Sequence, residues 1–133
     1  EERASGGISQ GTLSGVALGL PALLRAAKLQ NRAARTGFDW PDPSGPLSKV
    51  HEEIAEVEAA TTSAEVEEEV GDLLFAVVNW ARHLNVDPEA ALRKANAKFE
   101  TRFGHMEEQA GVSFAGLTLE EKEELWVQAK RRD

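Results

Sequence analysis

The chain has 133 residues, 41% of them hydrophobic and 29% charged, a balance that fits one soluble domain with a small apolar core and excludes a disordered chain. Its formal net charge of −8 makes nucleic-acid duplexes and anionic membranes poor partners, and it admits an anionic substrate only where a cation bridges the two. Cysteine is absent, which excludes disulfides and thiolate metal sites; the apolar stretch from Val16 to Leu24 is too short to span a bilayer and follows a poor signal peptide, so a cytoplasmic location is expected.

Residues 1–19 are rich in Gly and Ser and read as a flexible leader; the domain proper is expected over 20–133. The opening Glu1, in place of Met, reads as the start of a segment cut from a longer chain. A first helix is predicted from Leu20 to about Arg35, with Pro21 in its first turn and Gly37 as its stop. Phe38 to Pro46 holds three prolines and a glycine and reads as a loop. A second helix is expected from near Leu47 to about Ala60, followed by a turn at Thr61-Thr62-Ser63. Ser63, with Val66 and Glu67 after it, is the expected cap of a third helix reaching about Leu84. Asn85 to Pro88 is the next break, with Asp87 as N-cap of a fourth helix to about Gln109. After a loop over 111–116, Thr118 with Glu121 forms a capping-box pattern for a last helix to about Arg131. Period-two alternation is absent and tyrosine does not occur. The prediction is an all-α bundle of about five helices.

Two of these helices carry paired carboxylates. In the second, Val50, Ile54 and Val57 form an apolar stripe, and Glu53 and Glu56, three apart, flank it on the side of Lys49. In the third, Glu69 and Asp72 repeat the spacing beside Val66, Val70, Leu73 and Val77. Folded as an antiparallel hairpin about Thr62 and Ser63, the two pairs come to equal height, roughly 10 Å above the turn at 1.5 Å rise per residue. Four like charges beside a core repel one another unless a cation neutralises them. Oxygen-only ligands favour a hard divalent ion, Mg²⁺ or Mn²⁺ in its place. Glu52 and Glu68 stand close enough for a supporting or base role, and Gly71 admits close approach of a helix or ligand. A solvated acidic surface is the competing account, and the matched height of the two pairs weighs against it.

The fourth helix sets Leu92, Phe99, Phe103 and Met106 on an apolar stripe and repeats Lys94, Lys98 and Arg102 every four residues. Such a cationic ridge in an acidic protein is either a phosphate clamp or a set of surface ion pairs, and the sequence leaves both open. Trp126 and Lys130 are again four apart, and the Trp can stack on a base or fill a core.

The segments Leu20–Lys28, Gly37–Trp40, Lys49–Val57, Glu68–Phe75, Lys94–Phe103 and the Trp126 to Lys130 spacing, taken together, resemble the MazG nucleotide pyrophosphohydrolases over about residues 20–131. The E-E-x-x-E pattern followed by E-x-x-D is that family's metal signature. The resemblance implies an all-α fold that assembles through its helices, usually as a homodimer or a higher homo-oligomer. It implies Mg²⁺-dependent hydrolysis of (deoxy)nucleoside triphosphates to monophosphate and pyrophosphate, a nucleotide-pool house-cleaning activity. Glu53, Glu56, Glu69 and Asp72 take the metal-ligand positions, and Glu52 or Glu53 the position that orients or deprotonates water. Lys49, Glu52, Glu68, Lys98, Arg102, Trp126 and Lys130 take positions near the nucleotide. Among members with two tandem domains, the chain is most similar to the second. A narrower dUTP, dCTP or phosphoribosyl-ATP specificity, or a nucleotide-sensing module with little turnover, are the alternatives.

Overall fold

The computed structural model describes residues 11–133, which fall into two units, one ending at Glu89 and one beginning at Ala90. Among the described residues there are five α-helices, a 3₁₀ segment and no strand, the all-α fold expected.

The first unit contains α1 (Ala22–Ala34), α2 (Ser44–Ala59) and α3 (Ser63–His83). α2 packs along α3 as the hairpin expected, and α1 packs on α3. α1 begins after Pro21, whose extended backbone (ψ 142°) stays outside the helix. The turn beyond α1 closes at Gly37, whose φ of +91° only glycine adopts readily. α2 starts three residues before the expected Leu47. Its first turn absorbs Ser44, Gly45 and Pro46, because a proline's missing N–H is no loss where no intrahelical acceptor exists.

The cap of α3 is Thr62, not Ser63. Thr62 Oγ1 accepts from the Glu65 N–H (3.1 Å) and Glu65 Oε1 accepts from the Thr62 N–H (3.3 Å). Counting from Thr62, the third helical residue is Glu65, whose carboxylate can reach back; counting from Ser63 it is Val66, which cannot. Asn85 closes the far end with a left-handed φ of 61°, a conformation its short amide tolerates.

Of the leader, residues 1–10 lie outside the described residues. Thr12 and Ser14 offer their carbonyls to Arg32 Nη1 at 3.3 and 2.5 Å, Ala17 offers its own to Arg25 Nε at 3.2 Å, and Val16 is buried.

The stripe predicted for α3 is not the face the chain buries. Ala76 and Val78 are buried, whereas Val66, Val70 and Val77 of that stripe are 37% to 40% exposed and Leu73 is half-buried; Leu74 and Phe75 beside them are 53% and 48% exposed, and Ile54 of α2 is 41% exposed. Spacing marks a face as apolar without naming what covers it.

α4 (Pro88–Ala110) opens with Asp87 Oδ1 accepting from the Glu89 N–H at 3.0 Å. In the second unit, the segment Gly111–Gly116 forms the 3₁₀ turn, and α5 (Leu119–Lys130) carries the predicted Thr118–Glu121 capping box. Phe99, Phe103, Phe114 and Trp126 pack ring against ring at 5.2–5.8 Å between centroids, with Met106 and Ala129 buried. No helix among the described residues is long and apolar enough to cross a membrane.

Candidate metal centre

The hairpin of α2 and α3 brings Glu53, Glu69 and Asp72 together: one carboxylate oxygen from each lies within 4.8 Å of the others. Glu53 is the buried member at 7% exposure, Glu69 is half-buried and Asp72 is open to solvent. The order follows from helix geometry. Glu53 sits one turn from buried Val50 on the inner side of α2, and Glu69 and Asp72 share one flank of α3. Glu56 is not one of the three, although its charge reaches Glu69.

Electrostatics reports the same crowding. Desolvation, followed by the negative charges of Asp72, Glu56, Glu53 and Glu68, raises the pKa of Glu69 above its ordinary value. Carboxylates held this way gain by sharing a cation. Three oxygen donors with no nitrogen or sulfur beside them suit Mg²⁺ or Mn²⁺.

Lys49 is the cation at the edge of the cluster, with Nζ 3.3 Å from Glu52 Oε1 and 3.9 Å from Glu53 Oε2. The Glu52 hydrogen bond and charge, then that of Glu53, raise its pKa, so its ammonium is firmly charged. Glu52 and Glu68 stay exposed at the surface of the hairpin. Gly71 faces open space: outside its neighbouring residues and the backbone of its own helix, no heavy atom among the described residues lies within 4 Å of where a Cβ would stand.

Lys98, Arg102, Trp126 and Lys130 belong to the second unit. There Arg102 is ion-paired with Asp133 and its guanidinium lies 5.2 Å from the Trp126 ring, a cation–π arrangement. Trp126 also packs against Phe99, so it fills a core on at least one face. The pair with Arg102 keeps the Asp133 carboxyl below its ordinary pKa.

A second polar cluster escapes sequence reasoning. Asp39 accepts from Arg82 Nη1 and Nη2 at 3.1 and 2.6 Å and lies 2.8 Å from His83 Nε2. The Arg82 hydrogen bond outweighs partial burial and holds the Asp39 carboxyl well below the usual carboxylate range, with His83 and the Trp40 N–H assisting. The partners are 43 residues apart in sequence, and no local spacing joins a loop Asp to an Arg near a helix end.

Residues 46–106 match the model of the MazG nucleotide pyrophosphohydrolase domain. The chain is 48% identical over 117 residues, 86% of its own length and 46% of the relative's, to the nucleoside triphosphate pyrophosphohydrolase/pyrophosphatase MazG of Thermotoga maritima. It is 46% identical over 141 residues, 100% of its own length and 53% of the relative's, to the nucleoside triphosphate pyrophosphohydrolase of Escherichia coli K12. The chain spans about half the length of the curated relatives it matches.

Proposed function

Starting from a chain that belongs to the MazG family, we propose that it hydrolyses (deoxy)nucleoside triphosphates to the monophosphate and pyrophosphate with Mg²⁺, in nucleotide-pool house-cleaning. The observation that carries this reading is the convergence of Glu53, Glu69 and Asp72 oxygens within 4.8 Å. With Glu56 they form the proposed ligand set. Bound there, Mg²⁺ supplies charge neutralisation for carboxylates and phosphates and acidity to a coordinated water.

The chain's own residues do the rest. Glu53, buried and already beside Lys49, or the exposed Glu52 orients the attacking water and takes its proton. The Lys49 ammonium offsets the negative charge that builds on the phosphates as the anhydride bond breaks. Glu68 holds the place of a supporting acid. Lys98, Arg102, Trp126 and Lys130 enter the proposal as substrate contacts through the family resemblance. A homodimer and a cytoplasmic location belong to the same proposal; the exposed apolar side chains of α2 and α3 support assembly, since faces of this kind are covered in oligomers.

The test is pyrophosphate release from a panel of NTPs and dNTPs, with Mg²⁺ and with EDTA. Pyrophosphate plus monophosphate formed only with the metal is the expected result, and the panel measures base tolerance. A folded protein that leaves every member of the panel intact would overturn the reading.

A further inference from the structure

The cationic side of α4 already holds an anion. Lys98, Arg102 and His105 follow one another at spacings of four and three, so they share one side of the helix. Asp133, beyond the end of α5, meets that side from 31 residues away in sequence. Its Oδ2 accepts from Arg102 Nε at 2.9 Å and from Nη2 of the same guanidinium. The Trp126 ring lies 5.2 Å from the guanidinium carbon. With a carboxylate on one edge and an indole against it, the Arg102 side chain keeps only 13% of its surface open.

The carboxylate sits where positive charge gathers. The Arg102 hydrogen bond does most to lower the Asp133 pKa; desolvation opposes it, and the charges of Arg102, Lys98 and His105 reinforce it. A place that favours a carboxylate over its neutral acid favours a phosphate for the same reason. Two anions crowded on one guanidinium repel each other at close range. An incoming phosphate therefore takes Arg102 by displacing Asp133, not by joining it.

The pair is also built to open. The Asp133 side chain is 39% exposed, and its backbone N–H makes a single turn bond, to the Lys130 carbonyl at 3.3 Å, past the last turn of α5. Backbone held this lightly opens locally at little cost. When the Asp133 side chain turns away, the contact with Trp126 still keeps the guanidinium in place.

We propose that Asp133 is a competing anion built into the chain: it occupies the Arg102 guanidinium as a phosphate of the substrate would, and a phosphate binds there only once the carboxylate has swung aside. This rests on the reading of Arg102 as a substrate contact. Asp133 thereby sets the affinity for phosphate groups without touching them. A pair closed about four-fifths of the time weakens phosphate binding about fivefold, because apparent affinity falls with the fraction of competent sites.

The test separates this from turnover by removing the metal. The whole chain, in EDTA, is titrated calorimetrically with inorganic triphosphate at about 0.15 M salt, where exposed charges more than about 8 Å apart are largely screened. Asp133→Asn is expected to bind inorganic triphosphate about fivefold more tightly than the parent chain. Asp133→Glu keeps a competing carboxylate and is expected to stay near the parent. Glu123→Gln removes an exposed acid elsewhere on α5 and is expected to change the affinity by less than about twofold. A damaged fold does not produce tighter binding, so loss of structure cannot imitate the expected result. Unchanged affinity in Asp133→Asn, an equal gain in Asp133→Glu or Glu123→Gln, or no binding by any of the four proteins overturns the proposal. Weaker binding in Asp133→Asn overturns it too and makes Asp133 a positioning residue for Arg102. A chain with the expected affinities that releases no pyrophosphate from nucleotides keeps the competing anion and loses the hydrolase reading. One that releases pyrophosphate while Asp133→Asn binds no more tightly keeps the hydrolase reading and loses the competing anion.

Discussion

Gly45 lies directly under the indole of Trp40: a Cβ on this glycine would stand 2.4 Å from Cε3 of the ring. The glycine opens α2 and the tryptophan forms a cavity wall, so the start of a helix and the shape of a pocket depend on one missing methyl group.

Gly45→Ala should therefore destabilise the protein even though alanine is the better helix former. The ring must move by more than a few tenths of an ångström, and overpacking of this kind costs about 1–3 kcal/mol. Thermal denaturation followed by circular dichroism reads the loss, and a changed tryptophan emission reports displacement of Trp40. A melting temperature equal to that of the parent chain would contradict the packing described.

Asp72→Ala removes the exposed member of the carboxylate triplet and should leave the helices intact. Pyrophosphate release should fall by at least about a hundredfold, a loss of some 3 kcal/mol in transition-state stabilisation. The rise in melting temperature on adding Mg²⁺ should shrink with it, because a ligand that binds only the folded state must stabilise that state. Glu56→Ala tests the proposed fourth ligand, and full activity in that variant would remove Glu56 from the set.

Glu69→Gln should be more stable than the parent chain in EDTA at neutral pH. The raised pKa of Glu69 means that the folded state binds its proton more tightly than the unfolded chain does. The associated penalty is absent below the ordinary value of 4.5 and grows as pH rises through the folded value. The difference between variant and parent should thus vanish in acid and open towards neutrality. Saturating Mg²⁺ should reverse the order, since the glutamine cannot neutralise the cation. Melting curves across pH, with and without the metal, measure both effects.

Asp39→Ala should show the opposite pH profile. The carboxyl is held below its ordinary value of 3.8, chiefly by Arg82, so its stabilising effect is present above 3.8 and is lost as pH falls through the folded value. With side chains 15% and 26% exposed, the pair is worth about 1–2 kcal/mol near neutrality. Denaturant titrations at neutral and acidic pH should show that deficit shrinking in acid. A constant deficit would point to lost packing instead of lost charge.

Thr62→Ala should cost about 1 kcal/mol by removing the hydroxyl acceptor at the head of α3. Ser63→Ala should cost less, because Ser63 already lies inside the helix. A larger loss in Ser63→Ala than in Thr62→Ala would return the cap to Ser63.

These relationships divide according to distance along the chain. Helix content, the break at Asn85 to Pro88 and the Thr118–Glu121 box are fixed by neighbours within four residues, and the sequence determined them. The approach of Glu53 to Glu69 and Asp72 was legible for the same reason, since i, i+3 spacing and a three-residue turn leave a hairpin little freedom. The boundary at Thr62 was missed by one residue, because the choice between adjacent hydroxyls turns on which has an acid three positions later. Only the tertiary structure decided that Glu53 is the buried member of the cluster and that Glu56 stands aside from it. Tertiary packing alone also joined Asp39 to Arg82 and opened the cavity between α1 and α3. Such contacts depend on where whole helices come to rest, which is set by the sum of many weak packing interactions and leaves no periodic trace in the residues themselves.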